Sequence, residues 1–415
     1  MLDDYLRGEL RSRYSVSNGI EVKTGLGDIT VPAFRAAELP VISPSYLARF
    51  FNPTLSTIET SRGCPFACSY CAVKNVVGRT MRPRDPRLVL DWIRDAHDRH
   101  GIRTLFFVDD DFYRSPHWED VLKGIAELRR SGRDIWFMMQ ADVESAASAR
   151  PSPGEKETLK HRRSRRFVEL AAEAGCYAVF MGFESFNPAN LEHVSKFHNE
   201  ATEDRRRCGL QPAAATARVK ARYQRTVDNW HSAGIGVHCG YIIGFPFDSK
   251  GCGRQAARDL AEIGVDLASF FAYTLLPGTE DYVKAVAEDT IADHDFDNYD
   301  GRHFVGKHPH LSAAELQQEY RDAYRTFYTW RRLAWSLATL HRVPELNLAS
   351  RLGMLAQQVY FTYSDRRGWH PMLGCIWRIR QTIARRQVRS DREAAQLYLG
   401  LSLAEPASPT VCAAS

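Results

Sequence analysis

Three of the chain's nine cysteines fall within eight residues, at Cys64, Cys68 and Cys71, in the run Glu59-Thr60-Ser61-Arg62-Gly63-Cys64-Pro65-Phe66-Ala67-Cys68-Ser69-Tyr70-Cys71. So short a loop can curl three thiolates toward one centre, and Gly63 lets the backbone approach closely at the end of a strand. Soft thiolates select zinc or iron–sulfur clusters over hard cations. A structural zinc site closes with four protein ligands, and His97 and His100 lie too far along, on a predicted helix, to form an obvious second pair. A cluster normally takes four thiolates, so three leave one metal corner open, and an open corner is where chemistry happens. A zinc ion and a metal-free group of buried thiols are the alternatives. The other six cysteines (Cys176, Cys208, Cys239, Cys252, Cys375, Cys412) are scattered.

Other chemistry-bearing residues cluster at the ends of predicted strands, where ligands sit in parallel α/β folds. Phe107-Val108-Asp109-Asp110-Asp111-Phe112 sets three carboxylates side by side. They repel one another and so need solvent or a cation; a solvated acidic turn is the plain alternative. Gly182-Phe183-Glu184-Ser185 follows another strand, with Glu184 also suited to the positive end of a helix. Gln140, Gly244 in Gly236–Pro246, and the turn Leu275-Leu276-Pro277-Gly278-Thr279 point to the same end of the sheet. Tyr273 is a candidate proton or hydrogen-atom donor, and His303, in Tyr299-Asp300-Gly301-Arg302-His303-Phe304, is a candidate to face a substrate. His193, His198 and His238 read as ordinary surface or core residues. No Walker or Rossmann phosphate loop is present in the sequence.

The elements that must position these residues alternate regularly. Short apolar runs at 55–60, 104–108, 135–140, 177–182, 236–243 and 267–274 read as strands, and amphipathic stretches near 86–99, 117–130, 163–174, 221–233 and 255–263 as helices. Near-continuous apolar strands separated by helices indicate βαβ units and a parallel sheet. Six units suggest a partial barrel, with an open doubly wound sheet as the alternative. Two polar stretches, Ser145–Arg166 with the run His161-Arg162-Arg163-Ser164-Arg165-Arg166 and Glu200–Lys220 with Arg205-Arg206-Arg207, look like insertions carrying solvated charge. Ser312 and Glu315 form a capping-box signature before a long amphipathic stretch, 313–340. Further helices are expected at 346–363 and 373–389. The expected division is a lead-in over 1–50, a core over 51–308, a helical C-terminal region over 309–405 and a flexible tail over 406–415.

With 44% hydrophobic and 25% charged residues in 415, the composition is that of an ordinary globular protein. A formal net charge of +5 is too small by itself to argue for nucleic acid. The N-terminus has no apolar signal region, and no apolar run approaches the ~20 residues of a membrane span. A cytoplasmic location with reduced cysteines is the resulting expectation.

The spacing C-x3-C-x2-C, with aromatic Tyr70 before the last cysteine, resembles the radical S-adenosylmethionine (SAM) superfamily. The resemblance implies a partial (β/α)6 barrel and a [4Fe–4S] cluster on Cys64, Cys68 and Cys71, whose unique iron chelates SAM. It also implies reductive cleavage of SAM to a 5′-deoxyadenosyl radical, fed by an external electron donor such as flavodoxin or ferredoxin. It assigns SAM contacts to Tyr70, to Asp109, Asp110 and Asp111 (Asp111 nearest the place of the family's glutamate), and to Gln140, Glu184, Ser185 and Gly244. Segments 58–70, 106–112, 174–185, 233–247, 274–279, 299–304 and 311–328 resemble the cobalamin-binding branch, many of whose members methylate unactivated carbon. About 50 residues precede the first strand, fewer than a cobalamin domain needs. Cobalamin therefore stays open as a cofactor: lost, supplied by another chain, or encoded in a longer gene. The expected function is an oxidoreductase or C-methyltransferase acting on a small molecule, by hydrogen abstraction or methyl transfer, with no nucleic acid bound. Two rival readings stand beside it. One is a non-catalytic metal-binding module that docks through Trp369, Trp377, Arg378, Arg380, Arg385 and Arg386. The other is a radical SAM RNA-modifying enzyme, weakened because no second three-cysteine group and no β-rich RNA-binding domain is evident.

Overall fold

Strand β6 (Cys176–Glu184) and strand β7 (Gly236–Ile243), the latter with every residue buried, form the centre of the molecule. Strands so apolar on both faces suit a parallel sheet covered by helices. The computed structural model describes residues 54–339 apart from 152–153, 155 and 201–210, together with 355, 358–361 and 363. The lead-in, Arg205–Arg207, Cys208, most of the helix expected at 346–363, the helix expected at 373–389, the docking surface at 369–386 and the tail lie outside the described residues.

Beside β6 and β7, the sheet contains β1 (Leu55–Ile58), β4 (Thr104–Phe107), β5 (Trp136–Gln140) and β8 (Leu267–Ala272). The order is β1-β4-β5-β6-β7-β8, every neighbour parallel. Six parallel strands alternating with helices match the expected partial barrel, and among the described residues the sheet does not close. A two-stranded antiparallel ribbon, β2 (Ser61–Arg62) with β3 (Arg82–Pro83), projects from the end of β1.

The helices are α1 (Val73–Val76), α2 (Pro86–His100), α3 (Trp118–Arg130), α4 (Glu144–Ala147), α5 (Leu159–Glu173), α6 (Pro188–His193), α7 (Pro212–His231), α8 (Cys252–Glu262), α9 (Glu280–Ala287), α10 (Ala313–Phe327) and α11 (Trp330–Thr339). Phe107, Phe112 and Phe137 from the sheet side meet Phe167 of α5 and Trp230 of α7 in one core.

Three of the departures from the expected helices have a local reason. Helix α5 begins at Leu159, four residues early, because Thr158 and His161 cap it reciprocally, a histidine standing where a capping box usually has Glu or Gln. The run 161–166 thus forms the first turns of α5, a helix start rich in charge. Helix α7 begins at Pro212, with proline in its first turn and the strong helix formers Ala213, Ala214 and Ala215 behind it. The expected stretch 313–340 breaks into α10 and α11 at Tyr328, where the Tyr328 hydroxyl reaches across to bond both backbone groups of Ala268. Tyr324 does the same at Phe270. These two hydroxyls satisfy backbone groups on the outer edge of β8, which would otherwise stand open to another strand. The capping box of Ser312 and Glu315 forms as expected.

Candidate functional site

The cysteine loop leaves β1 through the β2–β3 ribbon. Gly63 takes φ +106°, and a Cβ there would lie 2.3 Å from the carbonyl oxygen of Thr80, so only glycine lets the loop close. The amide of Cys64 donates to Gly78 O at 3.2 Å and that of Cys71 to Cys68 O at 3.2 Å.

Four other strand ends grip this loop. After β4, Asp109 accepts from Thr60 N at 3.0 Å, Thr60 Oγ1 at 2.7 Å and Ser61 Oγ at 2.7 Å, while Asp110 accepts from Gly63 N at 3.4 Å. After β6, Val194 O accepts from Ser69 N at 3.0 Å, and His198 stacks on Phe66 with ring centroids 3.5 Å apart. After β7, Phe245 meets the Tyr70 ring edge-on at 6.2 Å. After β8, Asn75 donates to Gly278 O, and Lys74 pairs with Glu280 at 2.5 Å. The loop thus sits over the C-terminal edge of the sheet, the usual ligand-binding edge of such folds.

Burial pushes the Cys64 thiol up to about 12 and raises Cys68 and Cys71 as well, and neighbouring thiols add to the rise at Cys64 and Cys68. Lys196 is the leading downward influence on Cys68 and pulls Cys71 down too. Alone, the three are neutral thiols; a metal displaces their protons on binding. Among the described residues, no three or more His, Cys, Asp or Glu side chains converge as they would around one ion. A multi-iron cluster takes one thiolate per corner and so spreads its ligands further apart. The soft, mutually close and half-enclosed donor set fits such a cluster.

The remaining candidates divide into three groups. Some are engaged in structure. Asp109 is buried and occupied with Thr60 and Ser61, Gln140 donates to Asp109 O at 3.1 Å, and Ser185 Oγ accepts from Asn187 N and Asn190 Nδ2 at the entry to α6. Gly244, at φ +94°, makes room for Phe304, whose Cε1 would lie 2.6 Å from any Cβ. Others stand by the cysteine loop. Tyr70 lies 3.5 Å from Lys196 Nζ, and Glu184, at φ +62°, pairs with Lys196 at 2.8 Å. Asp111 is buried beside Asp142 and Arg114, its Oδ1 without a partner, and burial with the Asp142 charge raises its pKa well above the usual carboxylate range. Tyr273 and His303 are bound to neighbouring carboxylates. Tyr273 donates to Asp281 at 2.5 Å and its ring packs on Phe245, whereas the exposed His303 lies 3.0 Å from Asp300 in a surface turn.

Of the histidines read as ordinary, His238 is a buried core residue bonded to Ser269 at 2.8 Å. His198 differs: it lies against the cysteine loop, and burial with the charges of Lys196, Arg114 and Arg222 pushes its pKa down to about 2. Nothing in the sequence marks Lys196, Arg114 or Asp142. None belongs to a motif, and only the folding of β4, β5 and β6 side by side brings them to the loop.

Comparison with known proteins places these features in a family. The model of the Radical SAM superfamily matches residues 58–260. Bacteriochlorophyllide d C-12(1)-methyltransferase of Chlorobaculum tepidum is 25% identical over 331 residues, 78% of this chain and 60% of that protein. Hopanoid C-2 methylase of Rhodopseudomonas palustris is 26% identical over 240 residues, 57% of this chain and 39% of that protein. The chain spans about half the length of the curated relatives it matches. Among solved structures, the cobalamin-dependent S-adenosylmethionine radical enzyme OxsB, with aqua-cobalamin and S-adenosylmethionine bound, aligns with a TM-score of 0.49 at 15% identity, over 84% of this chain and 56% of that one. Running from the end of β1 through β7 and into α8, the matched segment contains the cysteine loop and most of the strand ends that hold it, and over these residues the chain is similar to the radical SAM superfamily.

Proposed function

We propose that the chain is a radical SAM enzyme acting on a small organic molecule by methyl transfer or hydrogen abstraction. The observation that carries this reading is the loop of Cys64, Cys68 and Cys71, held over the C-terminal edge of a parallel sheet by four other strand ends. The methyltransferase names of the relatives favour methyl transfer within it.

Cys64, Cys68 and Cys71 would hold a [4Fe–4S] cluster, which when bound would supply one-electron reductive chemistry toward SAM. The residues of this chain bind, orient and shield. Cys64, Cys68 and Cys71 are the ligands, and Gly63 and Asp109 fix the loop's geometry. The partnerless oxygen of Asp111 is suited to accept from the SAM amino group. Tyr70, Phe245 and Tyr273 wall the site from water on one side, and Asp281 holds the Tyr273 hydroxyl proton in place. The remaining assignments of Asp110, Gln140, Glu184, Ser185 and Gly244 to SAM binding, the electron donor (flavodoxin or ferredoxin), the cytoplasmic location and the domain division at 51–308 and 309–405 belong to the same proposal. No helix among the described residues is long and apolar enough to cross a membrane. The described strands form only the six-stranded sheet and the small ribbon. They include no separate cobalamin domain, and cobalamin stays open as a cofactor.

Anaerobic reconstitution should load about four irons per chain, the complement of the proposed cluster. Under reductant the loaded protein should convert SAM to 5′-deoxyadenosine or, for a methylase, S-adenosylhomocysteine also. A fully loaded protein that forms neither product with candidate substrates would end this reading.

A further inference from the structure

The segment after α6 is tied to the cysteine loop at two points, one on either side of residue 196. Ser69 N donates to Val194 O at 3.0 Å, and the Phe66 ring stacks on His198 at 3.5 Å with the planes 11° apart. Between these ties Ser195 takes φ +56°, a conformation seldom adopted by residues with a Cβ. Lys196 lies between the ties, and its ammonium donates to Glu184 at 2.8 Å, 3.5 Å from the hydroxyl of Tyr70, the residue before Cys71. Only 12% and 10% of the two charged side chains is exposed, so water screens the pair little.

The pair is confined. Glu184 itself takes φ +62°, and a Cβ on Gly182 would lie 2.1 Å from Glu184 Oε1 and 2.8 Å from Lys196 Nζ. Two non-glycine residues held at positive φ mark local strain, and such strain gathers at functional sites. Simple strand-to-loop packing would not need an ion pair: a buried pair is often no more stabilising than apolar residues of the same shape.

We propose that Lys196, fixed by Glu184, supplies a buried positive charge beside the cluster of Cys64, Cys68 and Cys71 and makes that cluster easier to reduce. The proposal rests on the cluster reading above and adds an electrostatic role that no motif carries. A cluster gains negative charge on reduction, and a cation in a poorly screened interior stabilises that gain far more than one in water. Charge and hydrogen bonding around the sulfurs are among the levers that set iron–sulfur potentials.

The test uses the full chain, reconstituted anaerobically without SAM, as wild type, Lys196→Met and Glu184→Gln. Iron and sulfide content are measured first, then the midpoint potential by a redox titration followed by electron paramagnetic resonance. With an unchanged cluster, Lys196→Met should titrate at a more negative potential than wild type. The sign holds whether Glu184 then stays ionised, adding negative charge, or takes a proton, since the positive charge is gone either way. Glu184→Gln, leaving the ammonium unopposed, should titrate at a more positive potential. Full clusters with unmoved midpoints in both variants overturn the proposal while leaving the cluster reading intact. Should Lys196→Met lose its iron, the glutamine variant decides, and a midpoint at or below wild type overturns the proposal. Wild-type protein that takes up no iron and sulfide overturns the cluster reading and this proposal with it.

Discussion

Asp109 holds Thr60 twice, its carboxylate accepting from the backbone amide at 3.0 Å and from the side-chain hydroxyl at 2.7 Å. The same carboxylate takes a third bond from Ser61 at 2.7 Å. The first residue of the acidic triplet thus fastens the end of β4 to the root of the cysteine loop. Asp109→Ala would leave the buried Thr60 amide unpaired. An unsatisfied buried donor costs about 1–3 kcal/mol, so chemical denaturation should show a loss of that order, with looser iron retention after reconstitution. A variant as stable as wild type would show that the triplet's first carboxylate is not an anchor.

Changing Cys64, Cys68 and Cys71 together to Ala should bring iron after reconstitution to background, while far-ultraviolet circular dichroism stays that of the wild type. The loop's hold on the sheet does not run through the thiols: it uses Asp109, Val194, His198 and Gly278. Iron retained in full by the triple variant would refute the assignment of the ligands.

Helix α10 is docked onto α8 through Glu319, whose carboxylate accepts from Gly251 N at 2.7 Å and Gly253 N at 3.0 Å. The approach is so close that a Cβ on Gly253 would lie 2.0 Å from the Glu319 carbonyl oxygen. Gly253→Ala must push the two backbones apart, and overpacking of this kind costs about 1–3 kcal/mol. Thermal unfolding should fall more for Gly253→Ala than for Glu319→Gln, which keeps one acceptor in place. The reverse order would mean the helices are not in backbone contact.

Asp248 is buried behind the end of β7, and burial raises its pKa from 3.8 to about 6 even though Gly244, Asn190 and Phe245 donate to it. The folded state therefore binds this proton more readily than the unfolded state. The group's contribution to stability is fully present below about pH 3.8 and is lost as pH rises through about 6. The stability of Asp248→Asn relative to wild type should accordingly improve between pH 4 and 7, by up to about 3 kcal/mol from a shift of that size. A difference that stays constant over the range would contradict the raised pKa.

The three cysteines, the glycine before them and the alternation of apolar runs with amphipathic stretches are local facts, so the parallel sheet and the metal loop could be read from the chain alone. Each depends on spacing within about ten residues, which periodicity and motif capture. Helix starts were less legible at α5 and α7, because a histidine cap and a proline–alanine start lie outside the usual signatures. The assembly of the site was not legible. Lys196 and His198 follow a different strand from the cysteines, and Asp142 and Arg114 follow two more. Aspartates two positions apart also take different surroundings, Asp109 turning to Thr60 and Asp111 to Arg114 and Asp142. Contacts between residues more than a hundred positions apart, such as Tyr70 with Lys196, arise only when the strands align. Charge at the cysteine loop is for that reason a property of the tertiary structure.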